Sequence, residues 1–136
     1  MERTLGLIKP DGLERGKQGQ LLDRILQNGF KILAMKQLKL TRAQAEAFYA
    51  EHSARPFFDS LCSYMTSGPI IAMTLEKENA IADWRTLMGA TNPAKADPGT
   101  IRKDFAVDME KNTVHGSDSP ASAAREVPFF FSQLEY

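Results

Sequence analysis

The order of strand-like and helix-like segments predicts an α+β fold. The first and third strands are each followed by a helical crossover, which is typical of the split βαβ arrangement of a ferredoxin-like sheet. The chain has 136 residues, of which 43% are hydrophobic and 25% are charged, as expected for one globular domain. We therefore expect a single domain over residues 1–136.

The first half of the chain begins with a strand, a helix and a second strand. Residues 4–9 are rich in β-formers and end at the turn signal Pro10-Asp11-Gly12. Residues 16–29 carry apolar side chains at helical spacing, and Gly29 is placed to end that helix in a left-handed conformation. Alternation predicts a half-buried strand at residues 31–40, with Lys36 as the exception on its apolar side. That side is predicted to comprise Ile32, Ala34, Leu38 and Leu40.

Two helices are predicted next. Thr41 and Gln44 form a capping box, which opens a helix whose polar end carries His52. No residue at metal-ligand or catalytic-triad spacing accompanies His52, so we interpret it as solvated surface. Pro56 starts the following helix, in which core positions recur at i, i+3, i+4 and i+7 and Phe57 lies off that stripe.

The third strand is predicted at residues 70–75, where a nearly continuous apolar run is typical of a strand covered on both faces. We expect it in the middle of the sheet. The next helix is predicted to begin after Asn79, to bury Trp84 and to stop at Gly89.

Residues 89–117 show little regular pattern beyond a short turn at residues 100–105. So long an irregular segment in a compact domain is usually functional. The dipeptide Ser119-Pro120 predicts a helix start, and residues 127–131 are predicted to close the fold as a strand. Because proline cannot donate to a ladder, Pro128 would make that strand an edge.

The composition excludes several function classes. Seventeen basic residues balance seventeen acidic ones, which disfavours generic binding to nucleic acid or to an anionic membrane. No apolar segment approaches the ~20 residues needed to span a bilayer. The single cysteine, Cys62, cannot form an internal disulfide and no signal-peptide pattern is present, so we expect a cytoplasmic protein.

Residues 112–120, N-T-V-H-G-S-D-S-P, set a histidine among small polar residues. The imidazole of His115 offers a neutral, nucleophilic nitrogen at physiological pH, and Gly116 would let a bulky ligand approach the backbone. Ser117 and Asp118 add hydrogen-bonding groups, and the amide of Asn112 suits a sugar hydroxyl. This chemistry fits a phosphorylated small molecule, although a lone histidine in a turn is more often structural.

Other candidates are spread along the chain. Lys9 ends the first strand, where ligands often bind, although a lysine there is commonly a solvated charge. Thr91 and Arg102 offer a hydroxyl and a guanidinium suited to phosphate oxygens. Phe57 could pack on a base without reading its edges, and a contact between helices is the equal alternative. Tyr49 lies beside the apolar face of its helix and could point toward the site.

The chain resembles the nucleoside diphosphate kinases over essentially its whole length. The similarity runs through T-L-G-L-I-K-P-D-G, R-P-F-F, S-G-P, L-M-G-A-T-N-P, P-G-T-I-R and the histidine segment. The resemblance implies a βαββαβ core with a four-stranded antiparallel sheet. It also implies reversible ping-pong transfer of the γ-phosphate from a nucleoside triphosphate to a nucleoside diphosphate through a phosphohistidine, with low base specificity.

The resemblance further implies site roles. His115 resembles the nucleophile. The nucleotide contacts implied are Lys9, Tyr49, Phe57, Arg85, Thr91, Arg102 and Asn112. The histidine would be supported by Ser117 and by Glu126, which accepts from the imidazole nitrogen that does not attack. Mg²⁺ is expected on the nucleotide phosphates, without a metal site in the protein.

A homo-oligomer is also implied, and the chain ends at Tyr136 without the extension that many longer members use in assembly, so tetramer and hexamer stay open. A binding or regulatory module that keeps the nucleotide pocket is the second hypothesis. Hydrolysis at a metal site would need clustered ligands, which two distant histidines do not supply.

Overall fold

The computed structural model describes residues 1–136 and is built on a four-stranded sheet. Its strands are β1 (Glu2–Ile8), β2 (Lys31–Leu38), β3 (Ile70–Lys77) and β4 (Val114–Gly116). Their spatial order is β2-β3-β1-β4, and each neighbouring pair is antiparallel. The predicted α+β class and ferredoxin-like sheet are confirmed.

Helices cover both faces of the sheet. They are α1 (Pro10–Glu14), α2 (Gln18–Gln27), α3 (Arg42–Phe48), α4 (Phe58–Met65), α5 (Ala80–Met88), α6 (Ile101–Phe105) and α7 (Pro120–Phe130). One buried cluster joins the sheet to α3, α4 and α7, and a second joins its other face to α2, α5 and α6. Because successive strand residues point to opposite faces, Leu5 and Leu7 enter the first cluster and Ile8 enters the second.

Several local predictions are confirmed. Thr41 caps α3 reciprocally, since its hydroxyl accepts from the amide of Gln44 at 3.1 Å and its own amide donates to the Gln44 side chain at 2.9 Å. Gly29 has φ +84°, the left-handed conformation expected after α2. β3 is buried on both faces over residues 70–75 and lies inside the sheet.

The predicted apolar side of β2 is partly wrong. The pairing with β3 shifts between Ile32 and Ala34, so Ile32 packs on the second cluster while Ala34 and Leu38 pack on the first. A bulge of this kind moves a side chain to the other face. Lys36 stays on the first side, where it forms an ion pair with Glu135 at 2.9 Å.

The predicted closing strand at residues 127–131 is wrong, because residues 127–130 belong to α7 and Phe131 is the residue that ends it. Ala123, Val127 and Phe130 are buried at i, i+4 and i+7, which is helical spacing. Pro128 is exposed within the helix and costs it one backbone hydrogen bond without meeting the core.

The fourth strand is instead β4, which carries His115 and was predicted as a turn. It is only three residues long, too short to show alternation in the sequence. The predicted turn signals at Pro10 and at residues 100–105 are the short helices α1 and α6.

Candidate active site

The position of His115 is set by β4. The strand pairs with β1, and His115 lies opposite Leu7, so its side chain points toward α3 and α7. Trp84 Nε1 donates to the main-chain oxygen of His115 at 3.1 Å from the opposite face. The imidazole meets the ring of Phe48 edge-on, with centroids 5.5 Å apart. Backbone and ring are therefore fixed from both sides of the sheet.

A buried carboxylate holds one nitrogen of the ring. His115 Nε2 lies 2.9 Å from Oε1 of Glu126, and the same oxygen accepts from the hydroxyl of Ser117 at 2.9 Å. Burial alone would raise the pKa of Glu126, but the hydrogen bond and charge of His115, with help from Ser117 and Arg125, hold that pKa below its usual value. Because an ionised carboxylate only accepts, Nε2 carries the proton and Nδ1 has the free lone pair.

A cleft of about 450 Å³ opens beside His115. Nine of the ten predicted site residues line it, and Glu126 lies behind the ring of His115. The nine are Lys9, Tyr49, Phe57, Arg85, Thr91, Arg102, Asn112, His115 and Ser117. They come from segments up to 108 residues apart in sequence, from Lys9 to Ser117. The fold brings them together, and their individual roles remain predictions.

Lys9 is buried at the floor of the cleft and bonded to a neighbour. Its Nζ donates to Oδ1 of Asn112 at 2.8 Å. Burial, together with the charge of Arg102, lowers the pKa of Lys9 to about 8, against the opposing effect of Asp11 and Glu110. The side chain is thus a cation at neutral pH that lies unusually close to losing its proton.

The two arginines differ in how they are held. The guanidinium of Arg102 is nearly buried and donates to the main-chain oxygens of Gly89 and Val114, both at 2.9 Å, while its Nε has no partner. Burial lowers the pKa of Arg102 to about 10, so it stays charged at neutral pH. Arg85 is exposed at the cleft wall, as is Thr91. Beside Lys9, the site therefore combines one guanidinium held by main-chain oxygens with one exposed guanidinium.

Tyr49 is buried beside the histidine, with ring centroids 6.4 Å apart. Its hydroxyl has no hydrogen-bond partner. Burial, with the charge of Glu126, raises the pKa of Tyr49 well above its usual value, so the group stays a phenol.

An apolar extension of about 340 Å³ continues from the cleft between α4 and the segment before β4. Phe57 (46% exposed) and Met109 (60% exposed) line it with Leu61 and Glu110. Met109 and Glu110 were not predicted as site residues, because a methionine or a glutamate in a loop gives no signal, and Leu61 was predicted only as a core position of its helix. Their position beside the ring of Phe57 is visible only in the structure.

The prediction for His52 needs correction. It is half-buried at the cleft wall, with its ring centroid 5.8 Å from that of Phe57. The short helix after α3 turns it inward, which its polar sequence neighbours did not indicate. Asp118, which the sequence offered as a hydrogen-bonding group near His115, is exposed and lines the same cleft.

Cations on the cleft wall attract an anionic substrate, and the histidine presents a free ring nitrogen to it. The aromatic and apolar extension suits a base. The fold and the cleft together define the class, a phosphotransferase that handles nucleotides through a histidine.

Comparisons with known proteins give the family. The sequence model of nucleoside diphosphate kinase matches residues 2–136. The chain is 62% identical to the nucleoside diphosphate kinase of Geotalea uraniireducens over 135 residues, covering 99% of this chain and 98% of the relative. It is 56% identical to that of Geobacter sulfurreducens at the same coverage. The chain belongs to the nucleoside diphosphate kinase family.

Solved structures agree. The Aquifex aeolicus nucleoside diphosphate kinase superposes with a TM-score of 0.96 at 46% identity, covering 98% of this chain and 97% of that one. The halophilic enzyme of Halobacterium salinarum, solved in complex with CDP, has a TM-score of 0.95 at 42% identity, with 98% and 90% covered. Members of this family exchange terminal phosphates by a phosphohistidine ping-pong mechanism. None of the helices in this chain is both long and apolar enough to cross a membrane.

Proposed function

We propose that the chain transfers the γ-phosphate of a nucleoside triphosphate to a nucleoside diphosphate through Nδ1 of His115. The observation that carries this proposal is the 2.9 Å contact between Nε2 and the carboxylate of Glu126. That contact fixes the tautomer and leaves the other nitrogen as the nucleophile.

The first half-reaction forms one bond and breaks one. The Nδ1 lone pair attacks the γ-phosphorus, the bond from phosphorus to the bridging oxygen breaks, and the nucleoside diphosphate leaves with that electron pair. The imidazole becomes a phosphorylated cation, which Glu126 stabilises while Nε2 keeps its proton. In the second half-reaction a terminal oxygen of another diphosphate attacks the same phosphorus, the bond from phosphorus to Nδ1 breaks, and its electron pair returns to the ring, which is again a neutral imidazole protonated on Nε2. The nitrogen–phosphorus bond stores the transfer potential, so both halves run near equilibrium.

Phosphoryl transfer depends mainly on positioning and charge neutralisation. Arg102 would bind phosphate oxygens as a fixed cation, and Arg85 would reach them from the wall. Thr91 offers a hydroxyl at the same wall. The phenol of Tyr49 would donate a hydrogen bond near the reacting phosphate, which accounts for its lack of a partner within the chain.

Lys9 and Asn112, joined by their 2.8 Å bond, would bind the ribose hydroxyls and, through Lys9, the phosphates. The base would stack on Phe57 and reach Met109. Since stacking surfaces contact the face of a base and not its edges, we infer low base specificity.

Mg²⁺ is proposed to arrive with the nucleotide. Magnesium is commonly held by substrate phosphates plus one or two carboxylates, and Asp118 gives the cleft such a carboxylate. When bound, the ion would neutralise phosphate charge.

We further propose a cytoplasmic homo-oligomer, a tetramer or a hexamer built from dimers. Supporting it, β2 is an open sheet edge on which Met35 is 51% exposed, and Leu26 is 55% exposed on α2. Sedimentation velocity would separate the two assemblies.

The function is tested by incubation with Mg²⁺ and γ-labelled ATP. The chain should take up label that is acid-labile and base-stable, and adding dTDP should discharge it as dTTP. His115→Ala should fold and take none. His52, the only other histidine, provides the control, since His52→Ala should still be labelled. A folded wild-type chain without label, or a labelled His115→Ala variant, would refute the mechanism.

A further inference from the structure

Asp11 is a buried carboxylate beside the cleft that the proposed mechanism does not use. It is 4% exposed at the start of α1. Four donors converge on it. They are the hydroxyl of Tyr64, the amide (3.3 Å) and the hydroxyl (2.7 Å) of Thr113, and the guanidinium of Arg15 (3.3 Å). A buried charge with this many partners holds separate parts of the chain in register.

Its main partner, Thr113, has a strained backbone. Thr113 is the only residue other than glycine with positive φ, at +73°. The amide of Val114 donates to the oxygen of Asn112 at 2.8 Å, so Thr113 is the central residue of a tight γ-turn. A β-branched residue adopts this conformation only when its surroundings hold it. Asp11 does so through both the amide and the hydroxyl of Thr113.

The same turn aligns the cleft residues on either side. The amide of Lys9 donates to the oxygen of Thr113 at 2.7 Å, two residues before Asp11. Asn112 directly precedes the turn and accepts from Lys9 Nζ. Asp11 and Lys9, which follow β1, therefore both hydrogen-bond to Thr113. These bonds set the distance between Lys9 and Asn112.

His115 has anchors of its own. Trp84 and Glu126 hold its main-chain oxygen and its ring, and Arg102 holds the oxygen of Val114. In contrast, the side chain of Asn112 has only Lys9 and the oxygen of Met109 as partners. Loss of Asp11 should thus disturb the Asn112 side of the cleft more than the nucleophile.

We propose that Asp11 is a positioning residue that holds the strained turn at Thr113 and thereby aligns Lys9 and Asn112 for the ribose side of the nucleotide. This inference rests on the proposed function, since it assumes that a nucleotide occupies the cleft.

The test compares two phosphoryl donors on Asp11→Asn. Leaving a buried donor poorly satisfied should raise the KM for ATP about tenfold, with kcat nearly unchanged. Phosphoramidate has neither ribose nor base, so its phosphorylation of His115 should proceed at the wild-type rate. Asp83→Asn, at a surface ion pair with Lys77, is the matched control and should change neither.

A second substitution that relieves the strain at Thr113 distinguishes a positioning role of Asp11 from a merely structural one. Glycine takes positive φ without strain, so Thr113→Gly added to Asp11→Asn should lower the raised KM for ATP most of the way back to the wild-type value. If Asp11→Asn fails to fold, Thr113→Val removes the hydroxyl bond alone and should raise KM in the same way. An unchanged KM in the folded variant, or a parallel loss of labelling by phosphoramidate, would overturn the proposal. A wild-type chain that phosphoramidate labels and ATP does not would instead refute the proposed function.

Discussion

At the residue scale, the contact between His115 and Glu126 gives the two ring nitrogens different environments. Nε2 faces a carboxylate that stays ionised despite burial, and Nδ1 is left for the substrate. In the proposed mechanism the carboxylate orients the ring before reaction and balances the positive charge that appears when phosphorus is bound. Ser117 shares the same oxygen and limits its movement.

We expect Glu126→Gln to slow phosphorylation of His115. Glutamine keeps the size and one acceptor but removes the charge, and a charge-assisted bond contributes more than a neutral one. The rate should fall roughly ten- to hundredfold. Single-turnover labelling by ATP in a rapid-quench instrument measures it. Glu135→Gln changes an exposed carboxylate paired with Lys36 and serves as control. Equal rates in the two variants would assign Glu126 a packing role only.

Lys9 predicts a pH dependence. Its pKa is lowered to about 8, so the cation is present below pH 8 and is lost as the pH rises through that value. We expect kcat/KM for ATP to be level near neutrality and to fall above pH 8, because this ratio reports groups of the free enzyme. In Lys9→Arg the guanidinium stays charged, so the fall near pH 8 should disappear, although activity is lower throughout. The same profile in both proteins would show that another group titrates.

At the scale of elements, β4 packs closely against α5 because Gly116 has no side chain. A Cβ at Gly116 would lie 2.6 Å from Trp84 Nε1 and 2.7 Å from Met88 Cε. Glycine is required here by this close approach. The hydrogen bond from Trp84 to His115 depends on the same contact.

Gly116→Ala should therefore displace β4. We expect a loss of about 1–3 kcal/mol in the free energy of unfolding, typical of overpacking, and a larger proportional loss of exchange activity. Gly19→Ala in α2 is the matched control, since a Cβ there meets no atom within 4 Å. That change should leave activity intact and stabilise the helix by about 0.5–1 kcal/mol. Urea titrations and coupled assays measure both. If Gly116→Ala is fully active, α5 must be able to shift and accommodate the added methyl group without displacing β4.

Elements differ in how far the sequence could predict them. The apolar run of β3 and the capping box of α3 are local signals, and both are confirmed. β4 is three residues of valine, histidine and glycine, stabilised by pairing with β1 more than a hundred residues away, so no local signal exists. At α7, Pro128 suggested an edge strand because its exposed position in a helix cannot be read from sequence.

The residues that line the candidate site could be predicted from the sequence, but the backbone turn and the hydrogen bonds that hold them in place could not. Motif positions named Lys9, Asn112 and His115, and the structure brings them to one cleft. The strained turn at Thr113 and its dependence on Asp11 arise from backbone geometry, which residue types alone do not specify.

At the scale of the whole molecule, the single tryptophan links the site to the core. Trp84 is fully buried, packs edge-on against Phe30 at 5.9 Å and bonds to β4. Its fluorescence therefore reports the second buried cluster and the strand β4 together.

We expect unfolding in urea followed by Trp84 fluorescence and by far-UV circular dichroism to coincide, because β4 and the sheet share one packed interior. Both signals should be recorded at one chain concentration, since assembly shifts apparent stability. A fluorescence transition at lower urea would mean that β4 detaches before the sheet unfolds.

The cleft beside His115 binds one nucleotide at a time. A diphosphate that binds to the unphosphorylated chain occupies the site that a triphosphate needs, and no phosphate can be transferred in that complex. Raising the acceptor concentration should accordingly first speed turnover and then slow it, and extra donor should relieve the slowing.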